Sequence, residues 1–133
     1  MALKKPAERQ DLIVATVDFT FADIATTAVA VPAMDLPPNA IVAGGDLVVT
    51  TVWNTGTTAA LAVGDVTTTN RYVAAADLKA LGRTALTLTG FTVTSVQKLL
   101  SLLPTYVGGA ATTGAARLTV HYYIKARGTH PAG

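Results

Sequence analysis

The chain has 133 residues, a formal net charge of +2 and no cysteine, which excludes disulfides, thiolate metal sites and thiol nucleophiles. That length makes one domain with room for a real core, yet only 14% of the residues are charged, against ~25% in soluble domains generally, as expected of a surface that spends its life against partners. Residues 1–10 carry Lys4, Lys5 and Arg9 against Glu8, the tail carries Lys125 and Arg127, and residues 11–124 hold five basic and seven acidic side chains, so two basic ends flank a weakly acidic body.

Residues 1–10 show no periodicity and contain Pro6, the pattern of an arm that a partner must order. From residue 11, Ile13, Ala15, Val17, Phe19 and Phe21 alternate with Thr16, Asp18 and Thr20, and period two is the signature of a half-buried strand. Thr27 to Val31 reads as a second strand closed by Pro32, and Leu36-Pro37-Pro38-Asn39 as a turn, because consecutive prolines cannot feed a ladder. Ala40 to Trp53 is a long strand with a bulge or corner at Gly44-Gly45. Asn54-Thr55-Gly56-Thr57 then reads as a hairpin turn into Ala59–Val63, which Gly64-Asp65 ends.

Ala74 to Leu81 favours a helical turn or two, with Gly82 where a helix often stops. Thr84 to Thr89 alternates again, and Phe91 to Thr94 reads as strand. Val96, Leu99, Leu100 and Leu103 lie at i, i+3, i+4 and i+7, with Ser95 placed to cap a helix and Pro104 to end it, which predicts a second short helix. A loop with Gly108, Gly109 and Gly114 leads into the last strand. There Leu118, Val120, Tyr122 and Ile124 share one face, and Arg117, Thr119, His121, Tyr123 and Lys125 the other. The expected fold is all-β, a jelly roll or β-sandwich of about eight strands with one or two short helical segments. It occupies residues 11–127, between a basic arm (1–10) and a tail (128–133).

Little in the chain carries chemistry. The histidines are His121 and His130, without metal-ligand spacing. Ser95 and Ser101 are the only serines, and neither sits in a nucleophile elbow. Glu8 is the sole glutamate, and Asp46 and Asp65 adjoin glycines as turn residues do. No phosphate loop is present, and the basic residues are too terminal for a nucleic-acid face. No apolar run approaches the ~20 residues of a membrane helix, and the charges after Lys5 spoil a signal-peptide core, so folding in the cytoplasm of the producing cell is expected. Catalytic residues, metal sites and cofactors are not expected. Trp53, Tyr72, Tyr106 and Tyr123 are either exposed aromatics suited to sugars or packing residues at the core rim.

Several segments resemble a family of tailed-bacteriophage head proteins. They are Leu36-Pro37-Pro38-Asn39-Ala40-Ile41-Val42, Gly45 to Thr51, Arg71 to Lys79 with Gly82 to Thr87, and Thr113 to Tyr122. The resemblance is to decoration, or cement, proteins of jelly-roll type, although the leucine-rich stretch Val96 to Leu103 is not a family feature. It implies a non-enzymatic virion protein on the outer surface of the capsid, bound to the major capsid protein and to itself as a dimer or trimer, clamping neighbouring capsomers without nucleic acid or membrane. The alternative is a tail or fibre sandwich that binds host glycans. The candidate partner-interface residues are Leu3, Lys4, Lys5 and Arg9 in the arm and Trp53, Tyr72, His121 and Tyr123 in the body.

Overall fold

A computed structural model describes residues 12–124. Eight strands, and no helix, make up its regular structure: β1 (Ile13–Thr20), β2 (Val31–Asp35), β3 (Ala40–Thr51), β4 (Thr58–Gly64), β5 (Val73–Asp77), β6 (Gly82–Ala85), β7 (Leu99–Val107) and β8 (Ala115–Ile124). They form two four-stranded sheets, ordered β1-β8-β3-β6 and β2-β7-β4-β5. Strand pairs β1/β8, β2/β7, β3/β6 and β4/β5 are all antiparallel, as if one long hairpin with its apex between β4 and β5 had been rolled into two layers. That is the strand order of a jelly roll.

The inner faces are built from the alternation seen in the sequence. In β8, Leu118 and Val120 are fully buried and Ala116 nearly so, while Arg117 is exposed. In β1, Phe19 is buried and Val14, Thr16, Asp18 and Thr20 are exposed. From the other sheet, Leu61, Val63, Leu100 and Leu102 meet them. Burying a Val, Leu or Phe side chain is worth about 1.5–3 kcal/mol, so these inward positions fix each strand's orientation. The bulge expected at Gly44-Gly45 is present, as a register shift between Val42 and Gly44. Gly45 has φ +133°, and a Cβ there would lie 2.2 Å from the Thr119 carbonyl oxygen, so only glycine lets β3 approach β8 this closely.

Five expectations are corrected. Ala74–Leu81 is not helical: Val73–Asp77 is β5, followed by a turn, and Gly82 opens β6. Alanine's helix preference is worth only tenths of a kcal/mol per residue, less than burying Val73, Ala76 and Leu78 against β4 and the core. The second expected helix is also strand. β7 buries Leu100, Leu102 and Pro104, while Val96 and Leu99 are exposed, so period two overrides the apparent helical spacing. Pro104 sits within β7 without harm. Its carbonyl accepts from Ala28 N on the side where the β2 ladder has already ended at Val31↔Leu102, and its missing N–H points to that same side.

The second strand is Val31–Asp35 rather than Thr27–Val31. Pro32 lies inside it, tolerated because β2 is an edge strand with a register shift beside Pro32. The Asn54–Thr57 turn does not close a hairpin, since β3 and β4 lie in different sheets. Trp53 is drawn into the core and its backbone N–H donates to the Leu78 carbonyl (2.9 Å), which turns the chain across the sandwich. Asp46 is not a turn residue but lies within β3, paired with Arg83 on β6. The expected arm 1–10 and tail 128–133 lie outside the described residues.

Because Val120 is fully buried on the strand that pairs with both β1 and β3, Val120→Asp places an unpaired carboxylate in the core. We expect the variant to lose its cooperative melt by circular dichroism. A soluble variant that still melts cooperatively would show that β8 faces the other way.

Candidate interaction surface

The expected site residues are scattered. Trp53 and Tyr72 are 1% and 3% exposed, so both belong to the core rather than to a surface. His121 and Tyr123 are half-buried on the outer face of the β1-β8-β3-β6 sheet. Leu3, Lys4, Lys5 and Arg9 lie outside the described residues. No groups of three or more His, Cys, Asp or Glu that could hold a metal ion occur among the described residues.

Trp53 closes one end of the sandwich. Its ring lies 6.2 Å from that of Phe19, tilted by 49°. Gly114 packs so tightly on the indole that a Cβ there would come within 2.4 Å of it, at φ +149°. The neighbouring Asn54 holds the loop in place: its Oδ1 accepts from Thr112 N (2.7 Å) and Thr113 N (3.1 Å), and its Nδ2 donates to Thr112 Oγ1 (2.7 Å). The Tyr106 hydroxyl donates to the Ile24 carbonyl (2.6 Å). Burial raises its pKa, and the Trp53 indole pulls the other way, although that N–H is not aligned as a hydrogen bond. These aromatics hold the fold together and offer no flat platform for a sugar.

The one buried charge pair among the described residues is also structural. Asp65 is 1% exposed and accepts from Thr67 N (2.9 Å), Thr68 N (2.8 Å) and Arg71 Nε (2.5 Å). Arg71 in turn lies 3.5 Å over the centre of the Phe91 ring. Burial pushes the Asp65 carboxyl up, but the hydrogen bond from Arg71, the two backbone amides and the arginine's charge together outweigh it and hold the carboxyl below its usual range. This cluster pins the 64–71 loop, with both carboxylate oxygens engaged and the carboxyl itself buried.

What remains is the contrast between the two outer sheet faces. On the β1-β8-β3-β6 sheet, the outward residues include Asp18, Arg117, His121, Asp46 and Arg83, with Arg83 Nε 2.5 Å from Asp46 Oδ2. On the β2-β7-β4-β5 sheet, the two middle strands point out only uncharged side chains. Thr58, Ala60 and Ala62 of β4 stand beside Val107, Thr105 and Leu103 of β7. Charge appears at the periphery, as Asp35 on β2, Asp77 on β5 and Lys79 just after β5, the last two lining a depression with Thr58, Ala60 and Ala75. Small, uncharged residues make the middle of this face easily dehydrated, the character of an interface core rather than of a solvated surface. Sequence reading missed it because the helical reading of residues 74–81 and 96–103 removed two of its four strands.

No family model matches the chain, and no curated protein matches its sequence. Solved structures do. A chain of the cyanophage Pam1 capsid asymmetric unit is similar at a TM-score of 0.75 and 26% identity, over 93% of this chain and 94% of that one. A chain from the acidic stable capsid structure of Helicobacter pylori bacteriophage KHP30 has a TM-score of 0.63 and 19% identity, over 88% of this chain and 91% of that one. A chain from the capsid of Ralstonia phage GP4 has a TM-score of 0.59 and 19% identity, over 93% and 90%. At 19% identity the last two likenesses are of fold.

The Asp65 pair makes a pH prediction. A carboxyl held below its unfolded value stabilises the fold above the unfolded pKa of ~3.9, and loses that contribution as pH falls through the lower folded value. Asp65→Ala leaves the part-buried Arg71 without its carboxylate and is expected to cost about 3 kcal/mol at pH 7. The gap between wild type and variant in urea unfolding should narrow as pH drops below about 4. An equal gap at pH 7 and pH 2.5 would contradict the assignment.

Proposed function

We propose that this chain is a structural protein of a phage virion, a decoration or cement protein that lies on the outside of the capsid and reinforces contacts between capsomers. The observation that carries this reading is the likeness, in fold and over nearly the whole chain, to a chain of the Pam1 capsid asymmetric unit, with two further phage capsid structures sharing the fold. The major capsid protein is the proposed partner, and self-association as a dimer or trimer belongs to the same reading.

The uncharged β2-β7-β4-β5 face is the surface we assign to the shell. Four strands at ~4.8 Å spacing and about five residues at ~3.3 Å rise give a patch of roughly 320 Å². That is well below the ~800 Å² per partner of a standard stable interface. A single contact of this size binds weakly, so grip requires several contacts acting together, either from an oligomer or from a second surface of each copy. A repeating shell supplies such an arrangement. The glycan-binding alternative loses Trp53 and Tyr72, both buried.

Thr105 is exposed near the middle of this face, so Thr105→Arg adds a charge there without touching the core. Wild-type protein is expected to co-sediment with shells of its phage that lack it and to make them more resistant to rupture. Thr105→Arg is expected to melt like wild type and to bind at least about tenfold more weakly, a difference of about 1.4 kcal/mol. Failure of the wild-type chain to bind or protect such shells would overturn the proposal.

A further inference from the structure

The two sheets do not close on each other along their β1 and β2 edges, and a cleft of about 260 Å³ opens there. Val17, Phe19, Val31 and Leu102 form an apolar trough, and Asp18 and Asp23 stand in its lining. Both aspartates are exposed, and neither makes an ion pair among the described residues. Asp23 is turned by Thr20, whose N–H and hydroxyl donate to its Oδ2 (2.8 and 3.3 Å), so its other oxygen keeps acceptor capacity. Asp18 lies across from Arg117 in the ladder, on the outward side of β1 at the rim of the cleft, with no ion pair to it among the described residues. Among the described residues β1 pairs with β8 alone, so its other edge presents main-chain groups that no described strand covers beside the trough. The cleft is smaller than the ~300 Å³ at which drug-sized sites begin. It suits the side chains of an extended segment, apolar at one residue and cationic at the next.

We propose that this cleft receives the amino-terminal segment of a second copy of the chain, with Leu3 in the trough and Lys4 and Lys5 beside Asp18 and Asp23. Within residues 1–11, the run Leu3-Lys4-Lys5 places one apolar residue directly before two cations, which matches an apolar floor rimmed by carboxylates. A second copy is favoured over the same copy by chain direction. The segment joins the body at Leu12, before Ile13, whereas the cleft lies at Val17–Phe19, up to ~20 Å further along β1 at ~3.3 Å per residue. To return along its own strand the chain would have to reverse next to Leu12, where Asp11 is the turn-favouring residue, and would spend most of the ~30 Å that Leu3 to Leu12 can span. Insertion into a neighbour needs no reversal. The exchange would join copies to one another, in solution or on a shell, and it stands independently of the shell-binding reading.

The absence of cysteine makes a clean test available. Lys4→Cys and Ala33→Cys, the latter in the cleft wall, are purified separately, checked for wild-type melting, mixed and mildly oxidised. A covalent heterodimer should form at least severalfold faster than in a control mixture with Val66→Cys, which sits on an exposed loop. Adding Asp18→Lys to the Ala33→Cys chain, or 1 M salt, should reduce the yield severalfold, because both remove the attraction between lysine and carboxylate. If Ala33→Cys fails to fold, Asp18→Cys at the exposed rim replaces it. A heterodimer yield no higher than the control would overturn the inference. So would a Lys4→Cys/Ala33→Cys double variant that cross-links only within one chain. Loss of shell binding with cross-linking intact would instead count against the proposed function alone.

Discussion

The double ladder on β8 is the constraint from which the other features follow. β8 pairs with β1 on one side and β3 on the other, and its inward residues Leu118 and Val120 are completely buried against the second sheet. A slip of one residue would turn both out to solvent and bring Arg117 and His121 in, so the register is strongly specified. Once it is fixed, the outer face of that sheet must carry Arg117, Thr119, His121 and Tyr123. The neighbours then bring Asp18 and Asp46 alongside. The second sheet is bound to the first by the same burial, and its own outward residues are what is left over: alanines, threonines, Leu103 and Val107. The division into a charged face and an uncharged one is therefore a consequence of the core.

Much of this was legible before any coordinates, and the misses share a cause. β1, β3 and β8 announce themselves because polar and apolar residues alternate across a sheet with one solvated face. β5 and β7 do not, because the outward face of their sheet is itself weakly apolar. With Leu99 and Leu103 outside and Leu100 and Leu102 inside, an amphipathic strand looks like a helix. Ala74, Ala75 and Ala76 mislead in the same way. The wrong helices and the missed interaction surface are thus one error, and apolar residues on both sides of a strand are the signal that could have found the surface. Trp53 and Tyr72 were misplaced for a different reason. Trp53 is buried because the chain crosses between sheets after β3 and Gly114 fits under the indole, and Tyr72 because it leads into β5 with its N–H donating to the Val63 carbonyl and its carbonyl accepting from Thr87 N, which no local pattern encodes.

The polar features inside the domain serve its rigidity. Asn54 ties the β3 exit to the loop before β8, Asp65 and Arg71 pin the loop after β4, and Lys79 reaches back to the Thr55 carbonyl. Each of these side chains is engaged in holding the fold, and His121 sits on an open sheet face beside Gly44. A rigid body with one dehydratable face and few surface charges is suited to covering a larger assembly. On the proposed reading its grip comes from repetition, since one sheet face is too small to hold alone.

On the proposed reading this protein covers a shell through its β2-β7-β4-β5 face. Electron cryomicroscopy of the virion, with the domain fitted as a rigid body, tests it most directly. The account predicts this fold on the outside of the head, with Thr105 and Ala62 toward the shell and Arg117 and His121 toward solvent. Density for the domain in the tail or fibres, or on the head with the uncharged face turned to water, would contradict it.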